Sequence, residues 1–268
     1  MSLQESLFDV RGARTVVTGA ASGLGLAMAE VMADCGAKVT LADLDGERLE
    51  RETERLASRG GDVRSRALDV SDEQAVGALF GEVVELDGGV DVAFANAGIS
   101  LEHGVLAPEG GLGAMDRARW DKVLGVNLNG VIHTLRAAAE PMKDQRGGRI
   151  VVTASTAGIR ADPLVGYSYT ATKFAVVGIV HQAALELAPY GVHVNAIAPG
   201  PFRTRIGGET EIPDSFWEQV VAIGRMAEPD ELKPLALLLA SPASSFITGA
   251  VIPIDGGQRL MAPNPQLS

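Results

Sequence analysis

Tyr169 and Lys173 stand four residues apart in a segment, 166–190, with helical spacing and no internal Gly-Pro break before Pro189. Residues at i and i+4 share one helix face, so a phenol and an ammonium are held side by side. A free tyrosine has a pKa of about 10 and is almost wholly protonated at neutral pH. A cation about 4 Å away is worth roughly 4 kcal/mol at an effective dielectric near 20, enough to bring a phenol toward neutrality before desolvation subtracts from it. A general acid/base works best there. Ser155 follows the apolar run Ile150 to Ala154, and its hydroxyl can hydrogen-bond a substrate oxygen. The three residue types together suit proton transfer to or from an alcohol or carbonyl oxygen. Tyr-x-x-x-Lys also arises by chance, so the elements around it must carry part of the argument.

Those elements alternate. Short apolar runs at 15–17, 38–42, 63–68, 91–94, 149–153, 193–197 and 250–254 are expected strands. Between them lie helix-length segments at 23–35, 46–58, 72–86, 117–143 and 166–190, with two further helices at 213–223 and 228–240. Strands without polar alternation are buried on both faces, as in a parallel sheet covered by helices. Repeated β-α alternation predicts an α/β, Rossmann-type, doubly wound parallel sheet of about seven strands. No linker or repeat divides the 268 residues, so a single domain is expected, with 1–10 and 260–268 as peripheral tails.

Composition narrows the function classes. The formal charge of −11 disfavours nucleic acid and anionic membranes as partners. One cysteine, Cys35, allows no internal disulfide and fits a reducing compartment. Apolar runs are too short to span a bilayer, and the first residues carry no secretory pattern, which leads us to expect a cytoplasmic protein. The four histidines have no ligand spacing, so no metal is expected. Ser155 lacks a nucleophile-elbow context and a His–Asp partner, which argues against hydrolase chemistry.

The first strand-to-helix turn reads Thr18-Gly19-Ala-Ala-Ser22-Gly23-Leu24-Gly25. Glycines there let the backbone approach a pyrophosphate, and the helix N-terminus offers amide donors and positive dipole. Asp43 ends the second strand, where a carboxylate accepts bonds from both adenosine ribose hydroxyls and repels a 2′-phosphate; it selects NAD over NADP. Asp43 or Asp45 can equally cap the following helix. Asp69-Val70 and Asn96-Ala97-Gly98 fall at carboxyl ends of strands, the ligand edge of such a sheet. Asp69 can meet the adenine amino group or cap a helix. Asn96 can bind ribose or brace the strand ends. Asn127 sits inside a helix, where asparagine is unfavourable, although a surface position is the commoner explanation.

This ordered set resembles the short-chain dehydrogenase/reductase family over nearly the whole chain. The resemblance rests on Thr18–Gly25, Asp69-Val70, Asn96-Ala97-Gly98, Asn127, Ser155, Tyr169-x-x-x-Lys173, Asn195 with Pro199-Gly200, Thr204, and Thr248-Gly249 with Asp255-Gly256-Gly257. It implies a tetrad in which Tyr169 is the acid/base and Ser155 orients the substrate oxygen. Lys173 lowers the Tyr169 pKa and binds the nicotinamide ribose, and Asn127 holds a relay water. The loop through Phe202 and Thr204 touches the nicotinamide end, and homotetramers or dimers are usual. Three departures stand out. Ala95 replaces the family's first Asn. The Ser155–Tyr169 separation is 14 where 13 is usual, which implies one inserted residue near 162–166, with Gly158 three after Ser155 keeping the family's Ser-x-x-Gly. The segment from Ser100 to Trp120 is longer than usual and either borders the substrate pocket or is a surface loop.

The expected reaction is reversible oxidation of a secondary alcohol to a ketone with NAD. The rivals are an NADPH-dependent ketoreductase and a catalytically idle NAD-binding sensor or assembly subunit. Arg160 either meets an acidic substrate or is a solvated loop residue, and 202–216 is expected to be a mobile lid.

Overall fold

A computed structural model describes residues 6–207 and 213–261. Seven parallel strands form one sheet: β1 (Arg14–Thr18), β2 (Lys38–Asp43), β3 (Asp62–Ala67), β4 (Val92–Ala95), β5 (Gly148–Thr153), β6 (Val192–Pro199) and β7 (Val251–Ile254). Their order is β3-β2-β1-β4-β5-β6-β7. The chain runs outward from β1 to β3, then restarts at β4 on the other side of β1. That reversal opens a crevice at the carboxyl ends of β1 and β4, where a doubly wound sheet binds ligand.

The strand residues divide between two cores. Val16, Ala93, Ile150, Val152 and Val194 face one side. There they meet α3 (Glu73–Asp87), α5 (Gly130–Gln145) and α6 (Tyr167–Leu187) through Phe80, Leu135, Val176 and Val180. Val17, Leu41, Phe94, Val151 and Ile197 face the other. Their partners are Met28 and Met32 of α1 (Gly23–Asp34), Leu49 and Leu56 of α2 (Gly46–Ser58), and Leu239 of α8 (Lys233–Ala240). Alternate side chains of each strand thus go to opposite faces and both are apolar, which is why these runs show no polar alternation.

The helix expected over 117–143 is three pieces: α4 (Arg117–Leu124), a π turn (Gly125–Asn129) and α5. The seventh helix, α7 (Asp214–Val220), is shorter than expected. Part of the 202–216 segment read as a lid, and the end of the 260–268 tail, lie outside the described residues. No helix among the described residues is long and apolar enough to cross a membrane.

Candidate active site

The glycine turn is built by exclusion. A Cβ on Gly19 would sit 2.8 Å from the Ala97 Cα, and one on Gly25 would overlap the Gly19 carbonyl and the Asn96 side chain. Gly23 has φ +56, a left-handed conformation that glycine adopts without strain, and its open side meets Thr204, whose Cγ2 would be 3.3 Å from an added Cβ. Ser22 opens α1 with its hydroxyl uncommitted to any cap bond, and the first turn carries no acidic side chain. Leu24 packs on the α1-side core.

Two polar hubs hold this turn to the neighbouring strands. The Thr18 hydroxyl accepts from the Asn96 and Ala97 amides (3.0 and 3.2 Å) and donates to the Phe94 carbonyl. Asn96 donates from Nδ2 to the Thr18 and Gly19 carbonyls (3.0 and 3.2 Å) and accepts from the Thr153 hydroxyl (2.9 Å). Asn96 is therefore the brace of β1, β4 and β5, and its amide has no donor left for a ribose. Asp43 accepts from the Ala21 amide with one oxygen and from the Asp45 amide with the other, both at 3.0 Å. Asp45, not Asp43, caps α2. Each Asp43 oxygen keeps a lone pair for a further donor.

Several residues named from the sequence have other partners. Asp69 is no helix cap: Asp72 caps α3. Asp69 closes a turn on the Ser71 amide and hydroxyl, and those bonds lower its pKa. Val70 is tied down by its carbonyl, 2.9 Å from His133 Nδ1, and by Gly130, where a Cβ would strike its side chain. Phe202 is 6% exposed and belongs to the α1-side core. A large apolar ring gains more from the core than from a polar cleft. Thr204 is what brings that loop to the glycine turn. Pro199 ends β6, and Gly200 donates to the Ile254 carbonyl at 3.0 Å, with Asp255 pressed where its side chain would be.

Tyr169, Lys173 and Ser155 come together at the ends of β4 and β5. Lys173 is 2% exposed, and its Nζ lies 5.5 Å from the Tyr169 ring centroid, donating to the Thr153 carbonyl at 2.7 Å. Gly98 lies beside it; a Cβ there would be 3.7 Å from that Nζ. Ser155 is 7% exposed and accepts from the Ala157 amide at 3.1 Å, and its hydroxyl is near enough to the Tyr169 phenol to act on that group's pKa. Gly158 lets the turn after Ser155 press on the Lys173 carbonyl. The Asp162 carboxylate closes the 162–166 turn by accepting from the Leu164 amide.

The electrostatics correct one expectation. Burial raises the Tyr169 pKa, the Ser155 hydrogen bond opposes this, and Asp162 adds to it. Tyr169 is partly buried, and the protein packed around its phenol is what disfavours the charged form. Lys173 does not dominate, because its own burial pushes it down to about 8 and its ammonium is engaged by Thr153. Desolvation outweighs the neighbouring cation.

Of the two readings of Asn127, the surface one is removed: the residue is fully buried, and its amide group makes both bonds to the Ile99 backbone, 2.8 and 2.9 Å. Its side chain fixes the strand-end loop, and the π turn it occupies is a type of distortion frequent at functional sites. Three contributors were missed from sequence: Thr153, whose carbonyl holds Lys173; Gln258, buried within 3.4 Å of the Thr156 hydroxyl; and Glu102. The last had no signal, since its partner lies 66 residues away. Among the described residues no group of three or more His, Cys, Asp or Glu is placed to hold a metal.

A family described as enoyl-(acyl carrier protein) reductase matches residues 19–259. The galactitol 2-dehydrogenase (L-tagatose-forming) of Cereibacter sphaeroides is 36% identical, with 94% of this chain and 97% of that protein covered. A short-chain dehydrogenase/reductase from Mycobacterium marinum superposes with a TM-score of 0.89 at 35% identity, covering 96% of this chain and 99% of that one. A gluconate 5-dehydrogenase from Burkholderia cenocepacia, solved with NADP and tartrate, does so at 0.88 and 29%, covering 97% and 100%. The chain belongs to the short-chain dehydrogenase/reductase family. It is accordingly an oxidoreductase of the kind that binds a nicotinamide cofactor, NAD or NADP.

Proposed function

We propose that the protein is an NAD-dependent dehydrogenase that interconverts a secondary alcohol and a ketone, with Tyr169 as general acid/base. The observation that carries this is the joint placement of the Tyr169 phenol, the Ser155 hydroxyl and the Lys173 ammonium beside Gly98 at the crevice. The crevice suits a dinucleotide: a helix N-terminus with a free Ser22 hydroxyl, glycines where side chains would collide, and a carboxylate with spare lone pairs at the end of β2. Ser22 and the amides near Gly23 to Gly25 would hold the pyrophosphate. Asp43 would hold the adenosine ribose, and Lys173 the nicotinamide ribose. The bound nicotinamide supplies the hydride acceptor or donor.

In alcohol oxidation Ser155 holds the substrate oxygen and Tyr169, as phenolate, takes its proton. In ketone reduction the protonated phenol gives the proton back. Because burial raises the Tyr169 pKa, the phenol is the stable form at neutral pH. Reduction is then favoured at neutral pH, and oxidation accelerates as pH rises. Galactitol and gluconate, named for two similar proteins, are secondary-alcohol substrates of the proposed kind.

The Asp43 carboxylate supports NAD, since it would repel a 2′-phosphate. The relative solved with NADP supports the rival reading of an NADPH-linked ketoreductase. Dissociation constants for the two cofactors separate them: NAD binding at least tenfold tighter fits our reading, and tighter NADP binding contradicts it. A dimer or tetramer is proposed from the family resemblance, to be checked by light scattering. The activity test is a panel of secondary alcohols with NAD, read by NADH absorbance. Turnover of any member supports the proposal, and none across a broad panel favours a non-catalytic NAD-binding role.

A further inference from the structure

Helix α6 carries both Tyr169 and Lys173, yet it begins without a cap of its own. Its N-cap residue is Gly166, and no acidic side chain lies in its first turn. The missing acceptor comes from the long segment after β4. Glu102 Oε2 accepts from the Ser168 backbone N–H at 2.9 Å and from the Ser168 hydroxyl at 2.6 Å. Ser168 is fully buried and directly precedes Tyr169. A carboxylate at the N-terminus of a helix satisfies an orphan donor and opposes the positive end of the dipole.

The approach is close and reserved by sequence. A Cβ on Gly166 would overlap Glu102, and one on Gly104 would overlap the backbone of Pro163 and Leu164. His103 forms an antiparallel bridge with Val165. Residues 102–104 thus run along the turn that leads into α6, while most of 105–119 is exposed. The second Glu102 oxygen is buried without a partner, so the side chain is not placed here for its own solvation. Burying a carboxylate oxygen unpaired costs free energy that only the Ser168 bonds and the helix end offset.

We propose that Glu102 is a positioning residue: it anchors the 100–120 segment to the first turn of α6 and so fixes the Tyr169 phenol against Ser155. This rests on the reading of Tyr169 as the acid/base. A displacement of about 1 Å at a reacting group can cost about 100-fold in rate.

The test compares Glu102→Ala, Glu102→Gln and Gly166→Ala in the full chain, measuring kcat, KM, NAD affinity and exchange of the Ser168 amide hydrogen. Glu102→Ala is expected to lower kcat by about 10- to 100-fold, leave the NAD dissociation constant within about twofold and expose the Ser168 amide to exchange. Glu102→Gln keeps an acceptor oxygen and is expected to stay within about threefold of wild type. Gly166→Ala displaces Glu102 by its added methyl, which would meet the Glu102 Cβ, so it should reproduce the loss. A kcat for Glu102→Ala within twofold of wild type overturns the proposal. So do equal losses in the Ala and Gln variants, or a Gly166→Ala variant with wild-type kcat. If wild type turns over no alcohol at all, the Tyr169 reading fails instead, and Ser168 exchange still reports whether Glu102 anchors the helix.

Discussion

The two sides of the crevice are made differently. On the β1–β2 side the chain is shaped by backbone: glycines that exclude side chains, and Thr18, Asn96 and Asp43 bonding main-chain groups of adjacent turns. On the α6 side the groups that would do chemistry are long side chains on a helix, held by contacts from segments far away in sequence, such as Thr153 on Lys173 and Glu102 on Ser168. A binding surface for a fixed ligand can be cast in backbone. A proton-transferring group has to be adjustable in height and pKa, which only side chains provide. The comparison implies that damage to the first side costs fold and cofactor affinity together, whereas on the second side loss of the Tyr169 hydroxyl costs turnover with cofactor affinity kept.

The largest expected effect is on the backbone side. Gly25→Val puts a branched side chain onto the Gly19 carbonyl and Asn96, and it should abolish cofactor binding while lowering stability by about 2–4 kcal/mol. Calorimetric titration with NAD and a denaturant melt check both. Asn96→Ala comes next: it removes three bonds joining β1, β4 and β5, for a loss of about 2–3 kcal/mol in urea unfolding, with weaker NAD binding as a consequence. Equal NAD affinity in that variant would break the link between brace and binding surface.

Lys173 gives a pH-dependent test. Its folded pKa of about 8 lies below the ordinary 10.5, so the unfolded chain binds more protons between those values and stability rises with pH across that window. Relative to Lys173→Met, wild type should gain about 2–3 kcal/mol from pH 7 to pH 10, measured by unfolding at each pH. Above about pH 10 Tyr169, whose pKa is raised, works in the opposite direction, so the scan stops there. The smallest effect is one of selectivity. Asp43→Ser should weaken NAD binding by about tenfold, about 1.4 kcal/mol, and improve binding of NADP. Fluorescence titration with each cofactor reads the ratio, and an unchanged ratio removes Asp43 from cofactor choice.

The same division explains what was legible in the sequence. Strands, helices and the glycine turn carry local signals, so the doubly wound parallel sheet of about seven strands and the place of Gly19, Gly23 and Gly25 could be read directly. The Tyr169–Lys173 adjacency was also legible, because helical spacing alone creates it. The direction of the Tyr169 pKa was not, because it depends on how deeply the hydroxyl lies, and burial is set by the whole fold. Asn127 was legible only through the family resemblance, because a π turn has no residue signature and an asparagine in a helix is as readily a surface residue. Glu102 gave no signal at all: a charged residue in a long loop looks the same whether it is solvated or caps a distant helix.

The most direct test is Tyr169→Phe, which removes one oxygen and leaves the ring and Lys173 in place. With a secondary alcohol that wild type oxidises, kcat should fall by about 100- to 10,000-fold while the NAD dissociation constant changes by less than about twofold. A variant that keeps full turnover would contradict the assignment of Tyr169 as the acid/base.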